Sequence, residues 1–212
     1  MPLELHPMTD DDIPHFQRIM RAAFRFGIVA ALFPKAPTPE ESQKDVERLT
    51  KENQEDPTVH FLKVIDTEKN NEIIACAKWH IYEKELSEED VEKRNKKIPD
   101  DASLAYRDFF GFLNESRKKW MGTKPFCFLN ILVTHPDHHR RGAGAMLVKW
   151  GTDRADKAHL PAFLEASEEG KPLYAKMGFK EMEYREFDLT KYGREGTERN
   201  TIMIRSPAEP QQ

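Results

Sequence analysis

Apolar and polar positions alternate along this chain with two distinct periods, and the switches between them mark out the elements. Leu3 to Pro7 alternates apolar and polar and predicts a short first strand. Thr9 or Asp10 then caps a helix whose first turn carries three acids, placed to favour the positive end of its dipole. Ile13, Phe16, Ile19, Met20 and Ala23 give that helix one apolar face, and Gly27 with the Pro34 to Pro39 region ends it. Phe26 to Pro37 is apolar but punctuated, and fits either core or the wall of a substrate pocket. Thr38-Pro39-Glu40-Glu41 joins a cap to a proline at the first helical position. It starts a second, charged and largely solvated helix that runs to about Asp56.

Phe61 to Asp66 and Glu72 to Tyr82 read as two strands of a hairpin, joined by the polar turn Thr67 to Asn71. Glu83 to Gly122 reads as a charged, helical insertion. Its first part, Glu83 to Lys97, is expected in solvent, whereas Leu104, Phe109, Phe112 and Leu113 can pack on the domain. Phe126 to Val133 is almost wholly apolar apart from Asn130, and reads as a strand buried on both faces. Thr134-His135-Pro136-Asp137 breaks it, because proline cannot continue a central strand. Gly142 and Gly144 then open a helix in which Leu147, Gly151, Ala155 and Ala158 recur at helical spacing. Pro161 to Ser167 predicts a strand, Lys171 to Met177 a short helix, and Phe179 to Leu189 and Thr201 to Ile204 two closing strands. Ser206 to Gln212 reads as a loose tail. The order is that of a mixed α/β protein with one βαβ crossover around the glycines, in a single domain over residues 1–212.

Composition narrows the picture. A balance of 33 basic against 37 acidic residues, net −4, argues against nucleic-acid binding driven by overall charge. Cys76 and Cys127 both sit in apolar runs and read as buried thiols in a reducing compartment, not as a disulfide framework. No apolar run approaches the ~20 residues of a membrane span. The acidic opening MPLELHPMTDDD lacks the apolar stretch of a signal peptide. A soluble protein of the cytoplasm is expected, with the nucleus also open, and with neither a membrane nor a nucleic acid as partner. The sequence leaves the choice between monomer and homodimer open.

The strand, turn, glycine pair and helix point several backbone N–H groups at one place, at the positive end of a helix dipole. That is a site for a phosphate or pyrophosphate, unless the glycines only permit a tight turn and close packing. Arg140 and Arg141 stand just before the glycines, where their charge favours a polyphosphate. No Gly-Lys-Ser/Thr ending follows, and no third glycine stands at the dinucleotide-binding spacing. His139-Arg140-Arg141-Gly142-Ala143-Gly144, after Val133-Thr134-His135-Pro136, resembles motif A of the GNAT superfamily of acetyl-CoA-dependent N-acetyltransferases. That motif reads Q/R-x-x-G-x-G/A, and His139 is the departure from it. Leu173-Tyr174-Ala175-Lys176-Met177-Gly178-Phe179 is similar to the superfamily's L-Y-x-x-x-G-F segment, at the right distance downstream. Leu164 to Tyr174 also resembles puromycin acetyltransferase, a small-molecule member. The resemblance covers roughly Leu3 to Arg205.

The resemblance implies a central, mostly antiparallel sheet with helices on both faces, and one parallel pair, after Phe126 and Ala162, that splays apart to admit the cofactor. It implies acetyl-CoA as acetyl donor and coenzyme A as product. The pyrophosphate would lie against His139, Arg140, Arg141, Gly142, Ala143, Gly144 and Ala145, held largely by backbone N–H groups. The pantetheine arm would pair with the backbone of Ile131, Leu132 and Val133, where one N–H polarises the thioester carbonyl. Ser167 stands where the superfamily often has an asparagine that bonds the cofactor, and Tyr174 where a tyrosine near the sulfur acts as general acid.

Amine acetylation needs an amine that has lost a proton, an N–H donor for the developing oxyanion, and a proton for the departing thiolate. Tyr174 fits the last of these or, equally with its neighbours Leu173 and Phe179, an aromatic staple. Glu165 lies in an otherwise apolar strand, so its carboxylate needs a partner, water or a proton. Burial without a partner would suit it to proton abstraction, whereas a salt bridge would make it structural. His80 is an alternative base with Asn130 to orient it, against simple packing for both. His135, His138 and His139 match no zinc spacing and read as a solvated turn, so no metal is expected. The function expected is direct acetyl transfer in a ternary complex to a primary amine. A small molecule is favoured by the apolar Phe26 to Pro37 and Leu104 to Trp120 stretches, which could wall a pocket. A protein lysine or N-terminal acetyltransferase, and a non-catalytic coenzyme A-binding regulatory module, are the alternatives.

Overall fold

The computed structural model describes residues 2–209. Seven strands form one sheet: β1 (Leu3–Pro7), β2 (Val59–Asp66), β3 (Glu72–Tyr82), β4 (Phe126–Thr134), β5 (Ala162–Ala166), β6 (Lys180–Asp188) and β7 (Thr197–Arg205). Their order across the sheet is β1-β2-β3-β4-β5-β7-β6. Every neighbouring pair is antiparallel except β4 and β5. Parallel strands need a crossover, and α6 (Ala143–Ala158) supplies it. The β2–β3 hairpin turns through Asn70 and Asn71, both left-handed, a conformation asparagine tolerates better than most residues.

Helices cover both faces, as the resemblance implies. On one face α6 and α7 (Lys171–Lys176) pack on Leu62, Val64, Ala75, Ala77, Trp79, Leu129 and Leu164. On the other, α1 (Ile13–Ala23) and α3 (Pro39–Glu55) cover Phe61, Cys76 and Val133. Beside them α2 (Gly27–Leu32) and α5 (Leu104–Trp120) cover Phe126, Phe128, Phe163 and Ile202. Successive strand residues alternate between the faces, which is why Ala77 and Trp79 meet α6 while Cys76 meets α1. Cys76 and Cys127 are free and buried.

Several details depart from the sequence reading. Phe26 to Pro37 contains a six-residue helix, α2, that buries Ile28, Ala31 and Leu32 in core. The insertion holds α4 (Glu88–Arg94) as well as α5, and Val91, expected in solvent, is buried. Phe112 and Leu113 pack as expected, but Leu104, the first residue of α5, is 54% exposed. β7 starts four residues earlier than Thr201, in the polar stretch Thr197 to Asn200, because β6 alone pairs it there. The tail is described only to Glu209, and its Ala208 N–H donates to Asp156 Oδ1 at 2.7 Å.

The tightest joint between helix and sheet is α6 on β3. Trp79 is fully buried and its indole N–H donates to the Leu147 carbonyl at 3.1 Å. A Cβ on Gly151 would sit 2.2 Å from the indole ring, so only glycine lets the two approach. Gly151→Ala should therefore destabilise the fold by about 1–3 kcal/mol through overpacking, even though alanine favours a helix interior by about 1 kcal/mol. Urea unfolding reads this as a lower midpoint at unchanged slope. A midpoint equal to wild type would mean that Trp79 is free to shift.

Candidate active site

The parallel pairing of β4 with β5 lasts only from Cys127–Ala162 to Leu129–Leu164. Beyond it β5 keeps only β7, and β4 keeps only β3. From Asn130 to Thr134 the β4 edge facing β5 therefore has no strand partner, and its N–H and C=O groups are available to another extended group. The departure coincides with a bulge: Lys78 pairs with Ile131 and Trp79 with Leu129, which leaves Asn130 as the extra residue. Ile131, Leu132 and Val133 thus border an opening in the sheet.

The glycine loop stands at the end of this edge. Gly142 is the N-cap of α6, at φ +92° and with no side-chain cap, so the first N–H groups of the helix have no side-chain acceptor. A Cβ there would meet open space. Arg140 is also left-handed, at φ +63°, an uncommon conformation for a residue with a side chain. Left-handed residues thus stand on either side of Arg141, and alternation of left- and right-handed residues is the backbone pattern from which anion-binding nests are made. Ala143 is buried and Gly144 fits beside Leu173 and Leu132, so close packing and an exposed helix start are both built here. Ala145 is half-buried in the same turn.

The two arginines have different surroundings. Arg141 is bound to Asp66, which is 1% exposed, at 2.7 Å, and this hydrogen bond holds the Asp66 carboxyl below the usual carboxylate range. Arg140 is exposed and makes no hydrogen bond or ion pair among the described residues. The histidines stitch the turn together. His139 Nε2 contacts the Thr134 carbonyl at 3.1 Å, and His135 Nδ1 accepts from the Asp137 N–H at 3.3 Å. His138 lies 3.1 Å from Arg141 and is buried, where a solvated side chain was expected. Among the described residues no group of three or more His, Cys, Asp or Glu is placed to share a metal ion.

Tyr174 comes from α7, on the α6 face, and is buried against Phe179 and Gly170. Burial raises its phenol well above the usual range, and its hydroxyl has no hydrogen-bond partner among the described residues. The ring packs, and the hydroxyl is held protonated without a protein partner. Ser167 lies just past β5, where its hydroxyl accepts from the Gly170 N–H at 3.2 Å and closes the turn into α7.

Glu165 faces the opposite side. Both of its oxygens accept from Arg117 of α5, from Nε at 2.6 Å and Nη2 at 2.7 Å. This buried, bidentate ion pair is the structural alternative that the sequence left open for Glu165. His80 projects from β3 onto the same face, stacked between Tyr82 and Phe128, with Nδ1 3.1 Å from the Tyr82 hydroxyl. Burial first, and then the charges of Lys78, Arg117 and Arg94, push its imidazole well below the usual histidine range. Lys78, buried on that face, is bonded to Glu52 of α3. Asp66, Arg117 and Glu198 were not singled out in the sequence. Each is a charged residue at ordinary spacing whose partner lies far away along the chain.

A known family model, described as "Acetyltransferase (GNAT) family", matches residues 26–179. A curated relative, a probable acyltransferase SID5 from Ajellomyces capsulatus, is 37% identical over 43 residues; the match covers 20% of this chain and 32% of that protein. Arylalkylamine N-acetyltransferase 2 from Aedes aegypti superposes at a TM-score of 0.68 with 16% identity, over 98% of this chain and 100% of that one. The histone acetyltransferase HPA2 and related acetyltransferase from Corynebacterium glutamicum superposes at 0.62 with 21% identity, over 99% of both chains. At these identities the two structures establish a common fold, and the family match spans most of the sequence. With its strand opening, its uncapped glycine loop and this match over residues 26–179, the chain belongs to the GNAT acetyltransferase family.

Proposed function

We propose that this protein transfers the acetyl group of acetyl-CoA to the nitrogen of a small primary amine, by direct attack in a ternary complex. The observation that carries the reading is the unpaired β4 edge running straight into the uncapped start of α6. An amide-bearing arm ending in a pyrophosphate is complementary to that sequence of groups: strand edge first, then helix N-terminus. Ile131, Leu132 and Val133 would bind the arm, and the loop from His139 to Ala145 the pyrophosphate. Arg140 is the arginine left to meet it, because Arg141 is committed to Asp66.

In the transfer the amine nitrogen forms a C–N bond to the acetyl carbon as the C–S bond breaks. The attacking nitrogen gives up a proton and the leaving sulfur takes one. A β4 N–H at the open edge is the donor for the developing oxyanion. Tyr174, kept protonated and without a protein partner, is the proton donor to the sulfur. Glu165 positions Arg117, and His80, kept neutral, receives the proton of the amine directly or through water. Neither thiol supports an acyl-enzyme route: burial raises Cys76 far above its usual range and Cys127 to about 12. The two unpaired cysteines also support a reducing compartment, cytoplasm or nucleus.

A small acceptor is supported by α2 and α5, which close over the face that Glu165 and His80 share, and by the fold likeness to an arylalkylamine N-acetyltransferase. The fold likeness to the Corynebacterium glutamicum histone acetyltransferase HPA2 and related acetyltransferase keeps a peptide acceptor as the second reading. Thiol release from acetyl-CoA, scored as kcat/KM over small amines and over lysine and N-terminal peptides, decides between them. Peptides ahead by about tenfold, ~1.4 kcal/mol at the transition state, would favour a protein acceptor. Turnover on no amine at all, with coenzyme A still bound, would leave a regulatory module.

Acetyl-CoA at a hundredfold excess over its dissociation constant should stabilise the fold by about 2.7 kcal/mol. Arg140→Ala should shrink that shift and leave the melting midpoint of the free protein unchanged. Arg141→Ala should lower the midpoint of the free protein, because Asp66 is left buried without its cation. The reverse pattern, read by thermal melts with and without acetyl-CoA, would exchange the roles of the two arginines.

Tyr174→Phe keeps the buried ring and removes the hydroxyl. Turnover should fall roughly 10²–10⁴-fold, with the acetyl-CoA melting shift near wild type. Near-normal turnover, with chemistry shown to be rate-limiting by single-turnover kinetics, would leave Tyr174 a packing residue only.

A further inference from the structure

We infer that Glu198 receives the protonated amine of the acceptor at the mouth of the opening, and that the site is built for a single ammonium on an apolar body. This rests on the amine-acetylating reading above. Glu198 lies in β7 opposite Phe187. It is three residues before Thr201, which pairs with Ala166, the last residue of β5. The carboxylate therefore stands beyond the end of β5, where β4 has already parted from it. Alternation along β7 puts it on the face of Ile202, the α2 and α5 face, opposite the glycine helix.

Strands β5 and β7 present two carboxylates on that face, Glu165 and Glu198. Arg117 neutralises Glu165. Glu198 is half-buried and has no Lys, Arg or His within ion-pair distance among the described residues. Its one hydrogen bond comes from the Ile28 N–H, at 2.9 Å. That fills one of about four acceptor sites on a carboxylate. Gly27 is left-handed, and a Cβ there would fall 1.3 Å from Glu198 Oε1. The absent side chain is what allows the connection between α1 and α2 to lie on the carboxylate.

Of the cations buried deeper on this face, Lys78 and Arg117 are each matched by an acid, and Arg94 lies over the Tyr82 and Phe126 rings and donates to the Gly122 carbonyl, so none of them is paired with Glu198. One unmatched carboxylate answers one ammonium. Phe24, at 41% exposure, and Phe26, at 83%, lie in that connection and offer apolar surface to the rest of an acceptor. A monoamine with an aromatic or alkyl body matches these features; a polyamine would leave its further charges unpaired.

The test compares wild type, Glu198→Gln and Glu198→Asp by kcat/KM with acetyl-CoA and two acceptors. One is a phenethylamine, charged at the assay pH; the other is an arylamine, uncharged there. Glutamine still accepts from Ile28 but carries no charge; aspartate keeps the charge one methylene further back. Glu198→Gln should lose roughly 10- to 100-fold on the charged acceptor and stay near wild type on the uncharged one. Its melting midpoint and acetyl-CoA shift should not move, and Glu198→Asp should keep the preference for the charged acceptor. Glu198→Gln matching wild type on both acceptors, or losing equally on both, overturns the assignment. If that variant does not fold, Glu198→Asp decides, and loss of its preference overturns the assignment. Wild type that binds acetyl-CoA but acetylates neither acceptor, nor any other amine, would sink the amine reading itself.

Discussion

The structure depends on one failure of pairing. Neighbouring strands pair in the order β1-β2-β3-β4-β5-β7-β6, but the ladder between β4 and β5 ends at Leu129 and Leu164. Past that point the half-buried edge of β4 carries N–H and C=O groups with no strand partner, groups that are costly to leave unmet away from water. The fold makes that cost useful by setting the glycine loop at the end of the open edge. The Asn130 bulge is the local device: one extra residue on β4 lets the strand bend away while its pairing with β3 resumes at Ile131.

Keeping such a gap open in a sheet requires support from both faces. On one face, Trp79 against Gly151 seats α6 close to the sheet, which fixes where the helix begins. On the other, Arg117 and Glu165 tie α5 to β5 at the point where β5 loses β4. The guanidinium also lies over the Phe128 ring, at 5.1 Å from its centroid, so the same group spans both strands of the parting pair. A charge pair in this position is better suited than an apolar contact, because it fixes distance and orientation at once.

Much of this was legible in the sequence where local chemistry decides the outcome. The Glu72 to Tyr82 strand, the Thr38 cap of α3 and the glycine start of α6 follow from neighbours within a few residues. What stayed hidden depends on partners far along the chain. Arg140 and Arg141 are equivalent in sequence, and only Asp66, across the sheet, separates them. Glu165 is an acid in an apolar strand until Arg117 reaches it from α5. The six residues of α2 are too few to be stable alone, and the helix forms on the apolar floor of α5 with the Glu198 carboxylate at its first turn. The GNAT resemblance supplied the splayed pair, which no periodicity predicts.

The partition of side chains between the two faces bears on the proposed chemistry. Acetyl transfer moves two protons, one off the nitrogen and one onto the sulfur, and they need not be the same proton. Tyr174 belongs to the cluster under α6 and α7, on the glycine-loop side. His80 stacks on Phe128, on the α5 side. The sheet lies between them and is open only where β4 leaves β5. In the proposed transfer, a nitrogen attacking through that opening would release its proton on one face while the sulfur is protonated from the other. Burial then acts in opposite senses on the two groups, raising the phenol and lowering the imidazole. Each is thereby held in its neutral form, which is the form that the proposed roles of donor to the sulfur and acceptor from the nitrogen require.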